Sequence, residues 1–193
     1  MPAAPAYFCV EIARTESEME VSRRYETSHG TVTLRPELPR DDAFLFALFS
    51  SHTGRVLRQS NLAEPAIQTM LQLQYRSSTQ THRNVFPDAC YSIIESEGLA
   101  IGRFIEQDEG ATVYFVDFAL VEDRQARGLG TAFIAMVADE WALKGRAARV
   151  EVRYNNTHSL KLCRNLGFVL LEDKGMGFVN LIRPVDPARR AGP

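Results

Sequence analysis

The stretch DRQARGLGTAF, residues 123–133, joins a glutamine, two glycines two positions apart and an apolar run with the spacing of a helix. Gly128 and Gly130 remove side chains where something must approach the backbone. The first turn of a helix has N–H groups without intrahelical partners, and with the helix dipole these suit a phosphate or pyrophosphate. Arg124 and Arg127 add positive charge beside them. A plain tight turn before a helix fits the same two glycines. A Walker loop does not, because the chain has no G-x-x-x-x-G-K-[ST]. A dinucleotide-binding fingerprint matches Gly128 and Gly130 and finds an acid, Glu151, on the following strand. Against it, Phe133 stands where that fingerprint needs a small residue, and too little chain follows to complete a doubly wound sheet.

A second candidate for chemistry is Asp117, a carboxylate in the otherwise apolar YFVDFAL. Buried there, it would have a raised pKa and could act as a general base; alternatively it pairs with an arginine such as Arg103 on the adjacent strand. Tyr114 lies earlier on the same strand, on the opposite face unless a bulge intervenes. His158 can cap a helix or approach a phosphate, whereas His29 and His52 form no recognisable cluster. No G-x-S-x-G nucleophile elbow is present.

The elements that must position these residues follow from periodicity. TVTLRP from Thr31 alternates and stops at Pro36, a short opening strand. Asp41 can cap the helix of AFLFALFSSH, and Glu64-Pro65 can open a second helix, on which Ile67, Met70, Leu71, Gln74 and Tyr75 share a face. ACYSIIES, LAIGRFIEQ and ATVYFVDFALV, separated by turns at Gly98 and Gly110, read as three antiparallel strands. The helix after Gly128 carries Leu129, Phe133, Met136, Val137 and Trp141 on one stripe and stops at Lys144-Gly145. AARVEVRYN is a strand with one buried face, THSLKLCRNL a short helix ending at Gly167, and FVLLED and MGFVNLIRP a closing hairpin that turns at Lys174-Gly175. The expected order is β-α-α-β-β-β-α-β-α-β-β, an α/β (α+β) fold with a mixed, mostly antiparallel twisted sheet flanked by helices.

The chain has 193 residues, 45% hydrophobic and 24% charged, which fits one soluble domain. A formal charge of -2 gives no electrostatic case for nucleic acid, and no apolar run approaches a membrane span. Cys9, Cys90 and Cys163 are odd in number and far apart, so neither a disulfide framework nor a zinc site is expected, and a reducing cytoplasm fits. The N-terminal MPAAPAYFCVEIAR lacks a basic region before its apolar residues and is not read as a signal peptide. Residues 1–30 are expected to be a mobile extension, with Met19 an alternative start, residues 31–184 a single domain and residues 185–193 a tail.

QARGLG, Gln125 to Gly130, resembles the [QR]-x-x-G-x-[GA] acetyl-CoA signature of the GNAT acyltransferase superfamily. NTHSLKLCRNLGF, from Asn156 to Phe168, resembles that family's second motif, N-x-x-A-x-x-L-Y-x-x-x-G-F, and the pair is far more specific than either half. The resemblance covers roughly residues 31–184, and the element order agrees with it. It implies an acetyl-CoA-dependent N-acetyltransferase acting by direct transfer to a primary amine, without a metal, and a homodimer by analogy. Gln125, Ala126, Arg127, Gly128, Leu129, Gly130 and Thr131 would present backbone N–H groups to the CoA pyrophosphate. Phe118, Ala119, Leu120 and Val121 would pair with pantetheine as a pseudo-strand, and Asn156 would reach the pantetheine or the reacting end. Tyr75 and His82, with Arg76, fall in the region that commonly walls the acceptor site, and Tyr114 where some members carry an acidic base.

Two positions depart from the motif. Ser159 replaces the usual alanine. Cys163 replaces a tyrosine that in many members protonates the leaving thiolate; its thiol either takes that role or fills the core beside Leu160, Leu162 and Leu166. A small-molecule amine is the preferred acceptor. A protein N-terminus is the alternative, since VEVRYNN followed by LGF is similar to ribosomal-protein alanine acetyltransferases. A catalytically weak acyl-CoA-binding or partner-binding module is the third reading.

Overall fold

Alternating apolar and polar residues make strands of much of this chain, and the computed structural model, which describes residues 22–185, assembles eight of them into one sheet. In chain order the elements are β1 (Arg23–Thr27), β2 (Gly30–Pro36), α1 (Asp42–Leu57), α2 (Glu64–Val85), β3 (Cys90–Ser96), β4 (Leu99–Asp108), β5 (Thr112–Leu120), α3 (Leu129–Leu143), β6 (Ala147–Arg153), α4 (Thr157–Asn165), β7 (Val169–Gly175) and β8 (Phe178–Arg183). The strands lie in the order β1-β2-β3-β4-β5-β6-β8-β7. Every pairing is antiparallel except β5 with β6. This sheet excludes the doubly wound parallel fold that the dinucleotide reading of Gly128 and Gly130 required.

The one difference in element order is β1, which lies inside the stretch expected to be extension. Its pattern is weak because two arginines and a glutamate flank its single buried residue, Tyr25. What holds it is tertiary. The Tyr25 ring meets Phe133 edge-on at 5.6 Å, and its hydroxyl donates to Glu140 Oε2 on α3 at 2.6 Å. Arg23 pairs with Glu106 and Glu140, and Trp141 Nε1 donates to Glu106 Oε2 at 2.8 Å. The expectations for residues 1–21, including Cys9 and Met19, and for the tail from residue 186 lie outside the described residues.

The core on the α3 face is aromatic. Phe104, Phe115, Phe118 and Phe133 contact one another with centroid separations of 5.1–6.4 Å. The opposite face is covered by α1 and α2, where Leu45, Ile67, Leu71, Tyr75 and Ile93 are buried. Asp41 does not cap α1 with its side chain. Its carboxylate instead takes two bonds from Arg35, at 2.7 and 2.8 Å, and one from the Leu38 N–H at 2.8 Å. The closing hairpin turns two residues later than expected, through Met176 and Gly177.

Two irregularities matter for the site. The β4–β5 register jumps so that Ile105 faces Asp117 while Glu106 faces Phe115, leaving Val116 as a bulge on β5. Parity therefore changes along β5, and Tyr114 and Asp117 share the α2 face: the Tyr114 ring lies 5.6 Å from Phe86 at the end of α2. At the same level Gly102 lets β4 press onto β5, since a Cβ there would sit 2.3 Å from the Ala119 carbonyl oxygen.

Candidate functional site

Strands β5 and β6 pair in parallel from Thr112↔Ala147 to Phe115↔Val150 and no further. Both continue, β5 to Leu120 and β6 to Arg153, so the β6-facing edge of residues 116–120 has no strand beside it among the described residues. The opening is the mouth of a cavity of about 550 Å³. Its floor is Asp117, Phe118, Ala119 and Leu120; one end is Gln125, Ala126, Gly128, Gly130 and Thr131. Asn156, His158, Ser159 and Leu162 of the α4 region and Leu45, Leu48, Phe49 and His52 of α1 close the sides, with Arg103 from β4.

The loop before α3 takes its shape from backbone conformations that most residues avoid. Ala126 and Gly128 have φ of 57° and 86°, the first an alanine in the left-handed region, where a side chain costs on the order of 1 kcal/mol. The start of α3 has no side-chain cap, which leaves its first N–H groups to an anion. Gly130 is a glycine for packing: a Cβ there would meet the Phe118 ring at 3.3 Å. Gly128 is one for conformation and for space, since a Cβ would lie 2.6 Å from His29 Nε2 at the tip of the β1–β2 hairpin. Thus His29, which sequence placed in no cluster, rests on the loop before α3.

Asp117 is paired. Its Oδ2 accepts from Arg103 Nε at 2.9 Å and Nη2 at 2.5 Å, the ion-pair alternative raised from sequence. His82 of α2 lies beside this pair. Burial lowers its pKa, Asp117 opposes that and Arg103 reinforces it; its Nδ1 is buried with no hydrogen-bond partner among the described residues. The Asn156 Oδ1 accepts from the Ser159 N–H at 3.1 Å, so this side chain caps α4 as well as lining the cavity.

Four expectations are corrected. Tyr75 does not wall the cavity: it is buried between α1 and α2, and its hydroxyl donates to Asp42 Oδ1 at 2.7 Å. Burial and that bond push its phenol above the ordinary range. Cys163 does not line the cavity either; it is buried in the α3-side core, and burial pushes its thiol up to about 11. A thiol held there is a poorer acid than the roughly 8.5 of an ordinary thiol, so core filling describes it. Tyr114 lies away from the cavity, its ring stacked under the Arg149 guanidinium at 3.9 Å and its pKa raised by burial. The side chain of Leu129 is core, and Val121 and Arg127 are not on the cavity wall, which confines any part of theirs to backbone groups.

His52 was missed. Leu45, Leu48, Phe49 and His52 have the spacing i, i+3, i+4, i+7, one helix face, and that pattern could have brought it to the site.

A family model described as "Acetyltransferase (GNAT) family" matches residues 61–168. Comparison with curated proteins gives no match. Solved structures agree in fold. The PaiA N-acetyltransferase from Thermoplasma acidophilum, in complex with coenzyme A, is 13% identical, with a TM-score of 0.58 over 79% of this chain and 98% of that one. Mycobacterium smegmatis RimJ, in complex with CoA-disulfide, is 17% identical with a TM-score of 0.58, covering 83% of this chain and 85% of that one. RimL, a ribosomal L7/L12 alpha-N-protein acetyltransferase, is 16% identical with a TM-score of 0.58 over 91% and 100%. No helix among the described residues is long and apolar enough to cross a membrane.

Proposed function

Because the chain belongs to the GNAT acetyltransferase family, we propose that it transfers the acetyl group of acetyl-CoA directly to a primary amine, the acceptor being a small molecule. The observation that carries the cofactor half is the unpaired edge of β5 running into the uncapped start of α3, both on one cavity. That edge accepts an extended amide-bearing arm as an extra strand, and the residues from Gln125 to Thr131 offer N–H groups to the pyrophosphate. The residues present fit the group: α3 starts with no side-chain cap, Gly130 and Thr131 line the cavity, and no acidic residue lies in the first turn of α3.

Transfer from a thioester to an amine needs a neutral nucleophile and a polarised carbonyl. Backbone N–H groups at the free end of β5 supply the polarisation. An alkyl amine has a pKa of about 10.4, so its proton must be drawn off. Asp117, its Oδ2 held by Arg103, sits on the cavity wall to attract the ammonium form. His82, whose pKa burial lowers, lies beside that pair as an acceptor for the proton. A second copy would meet this one through edge strand β7, where Val169, Leu170 and Leu171 are all exposed.

Two alternatives have support. The likenesses to RimJ and RimL are of fold alone and leave a protein N-terminus as the other acceptor class. The buried Cys163, in the place of an acid for the leaving thiolate, favours a catalytically weak acyl-CoA-binding or partner-binding module. Calorimetric titration with acetyl-CoA, followed by a panel of amines and N-terminal peptides with free thiol as the readout, separates them. Binding with turnover on a small amine supports the proposal; turnover only on peptides moves it to the protein class. Binding with no thiol release above hydrolysis leaves the module, and no binding overturns the cofactor assignment.

A further inference from the structure

We propose that His52 is a positioning residue, through which α1 clamps the loop that receives the cofactor phosphates; the inference rests on reading this cavity as the CoA site. Gln125 Nε2 lies 2.6 Å from the Leu120 carbonyl oxygen and 2.9 Å from His52 Nε2. A carbonyl oxygen only accepts, so the Gln125 amide presents its NH2 there and cannot be turned over. One hydrogen of that NH2 serves Leu120 and the other points to His52. His52 Nε2 therefore holds a lone pair, and the ring is neutral with its proton on Nδ1.

One helical turn along, α1 makes a second contact with the same loop: Arg55 Nη2 pairs with Glu122 Oε1 at 2.5 Å. His52 and Arg55 thus touch the two ends of the turn formed by residues 122–125; the Arg55–Glu122 pair is exposed and adds little, so the clamp rests on His52. Immediately after it, Ala126 takes its left-handed conformation and Gly128 opens α3. Fixing Gln125 fixes the chain as it enters that strained step. The clamp requires a neutral ring, because an imidazolium has no lone pair and would set a donor against the Gln125 amide. The groups around His52 are Gln125 and the Leu120 carbonyl from the loop and β5, Arg55 with its partner Glu122, and, on the same cavity, His158 and the Arg103–Asp117 pair.

The test uses the full chain and three proteins: wild type, His52→Ala and His52→Gln, the last restoring a neutral acceptor of similar reach. Hydrogen exchange over residues 122–128 of the ligand-free protein should be faster in His52→Ala and close to wild type in His52→Gln. Calorimetry with CoA should show about five-fold weaker binding for His52→Ala, the worth of one hydrogen bond, with recovery in His52→Gln. Unchanged exchange in His52→Ala, or a His52→Gln protein that behaves like it, overturns the clamp whether or not CoA binds. Loosened exchange in a protein whose wild type does not bind CoA leaves the clamp standing and overturns the cofactor assignment.

Discussion

On the β5 and α3 side of the cavity, the groups that meet a ligand are backbone: the free edge of residues 116–120, the N–H groups after Gly128, and glycines whose contribution is an absent side chain. On the α1 and α2 side they are side chains: Leu45, Leu48, Phe49 and His52 on the wall, and His82 behind the Arg103–Asp117 pair. A backbone site tolerates almost any residue where only an N–H or C=O is used, and insists on glycine where a Cβ would intrude. A side-chain site can change its ligand with each substitution. One wall is thus suited to a cofactor common to a family, and the other to an acceptor that varies.

The sharpest way to break this contrast is Gly128→Glu. The substitution forces a side chain into a conformation with φ of 86°, against His29, and places like charge at the phosphates. CoA affinity should fall at least about 100-fold by calorimetry. Asp117→Asn probes the side-chain groups, since this carboxylate turns from β5 toward α2: turnover with an accepted amine should drop about 100-fold, while CoA affinity stays within about two-fold of wild type. If both variants lose CoA equally, the two walls are not separable. Gly102→Ala tests whether the backbone wall depends on close strand approach. Its Cβ would press on the Ala119 carbonyl, and thermal or urea unfolding should show a loss of about 1–3 kcal/mol together with weaker CoA binding.

The smallest effect is expected at Cys163, which belongs to neither wall. Cys163→Ala should leave CoA affinity and neutral-pH turnover unchanged. Its thiol is raised to about 11 in the folded chain, so the unfolded state releases that proton first as the solution becomes alkaline. The associated stability is fully present below the ordinary thiol value and is lost as pH rises toward 11; the slope should be shallower in Cys163→Ala, where Tyr75 and Tyr114 still contribute, measured by urea unfolding at stepped pH. An alkaline limb in turnover that disappears in Cys163→Ala would instead restore the thiol as the acid.

The same division decides what could be read from the residues. The order from β2 onward was legible because alternation, the Pro65 helix start and the Gly145 and Gly167 stops are local signals. The loop residues from Gln125 to Thr131 were legible because glycine positions report backbone demands directly. β1 was not, since Arg23, Tyr25, Glu106, Glu140 and Trp141 are scattered along the chain and stabilise one another only once folded. Tyr75 misled for a related reason: a tyrosine on an apolar helix face looks equally like a wall or a core residue until the partner of its hydroxyl, Asp42, is in place. Asp117 raised both possibilities, and the choice of Arg103 as partner depended on the register between β4 and β5.

That register has a larger consequence. With Val116 inserted, β5 is read in two phases: up to Phe115 the odd positions face the aromatic core, and from Asp117 onward the even ones do. Giving Val116 a partner of its own, so that the bulge is ironed into regular pairing, would not be a local change. It would act as a frameshift in three dimensions, carrying Asp117 into the core and Phe118 out of it, and turning over the segment that hands the chain to the phosphate loop. The bulge is the point at which the message of the fold and the message of the site are brought into step.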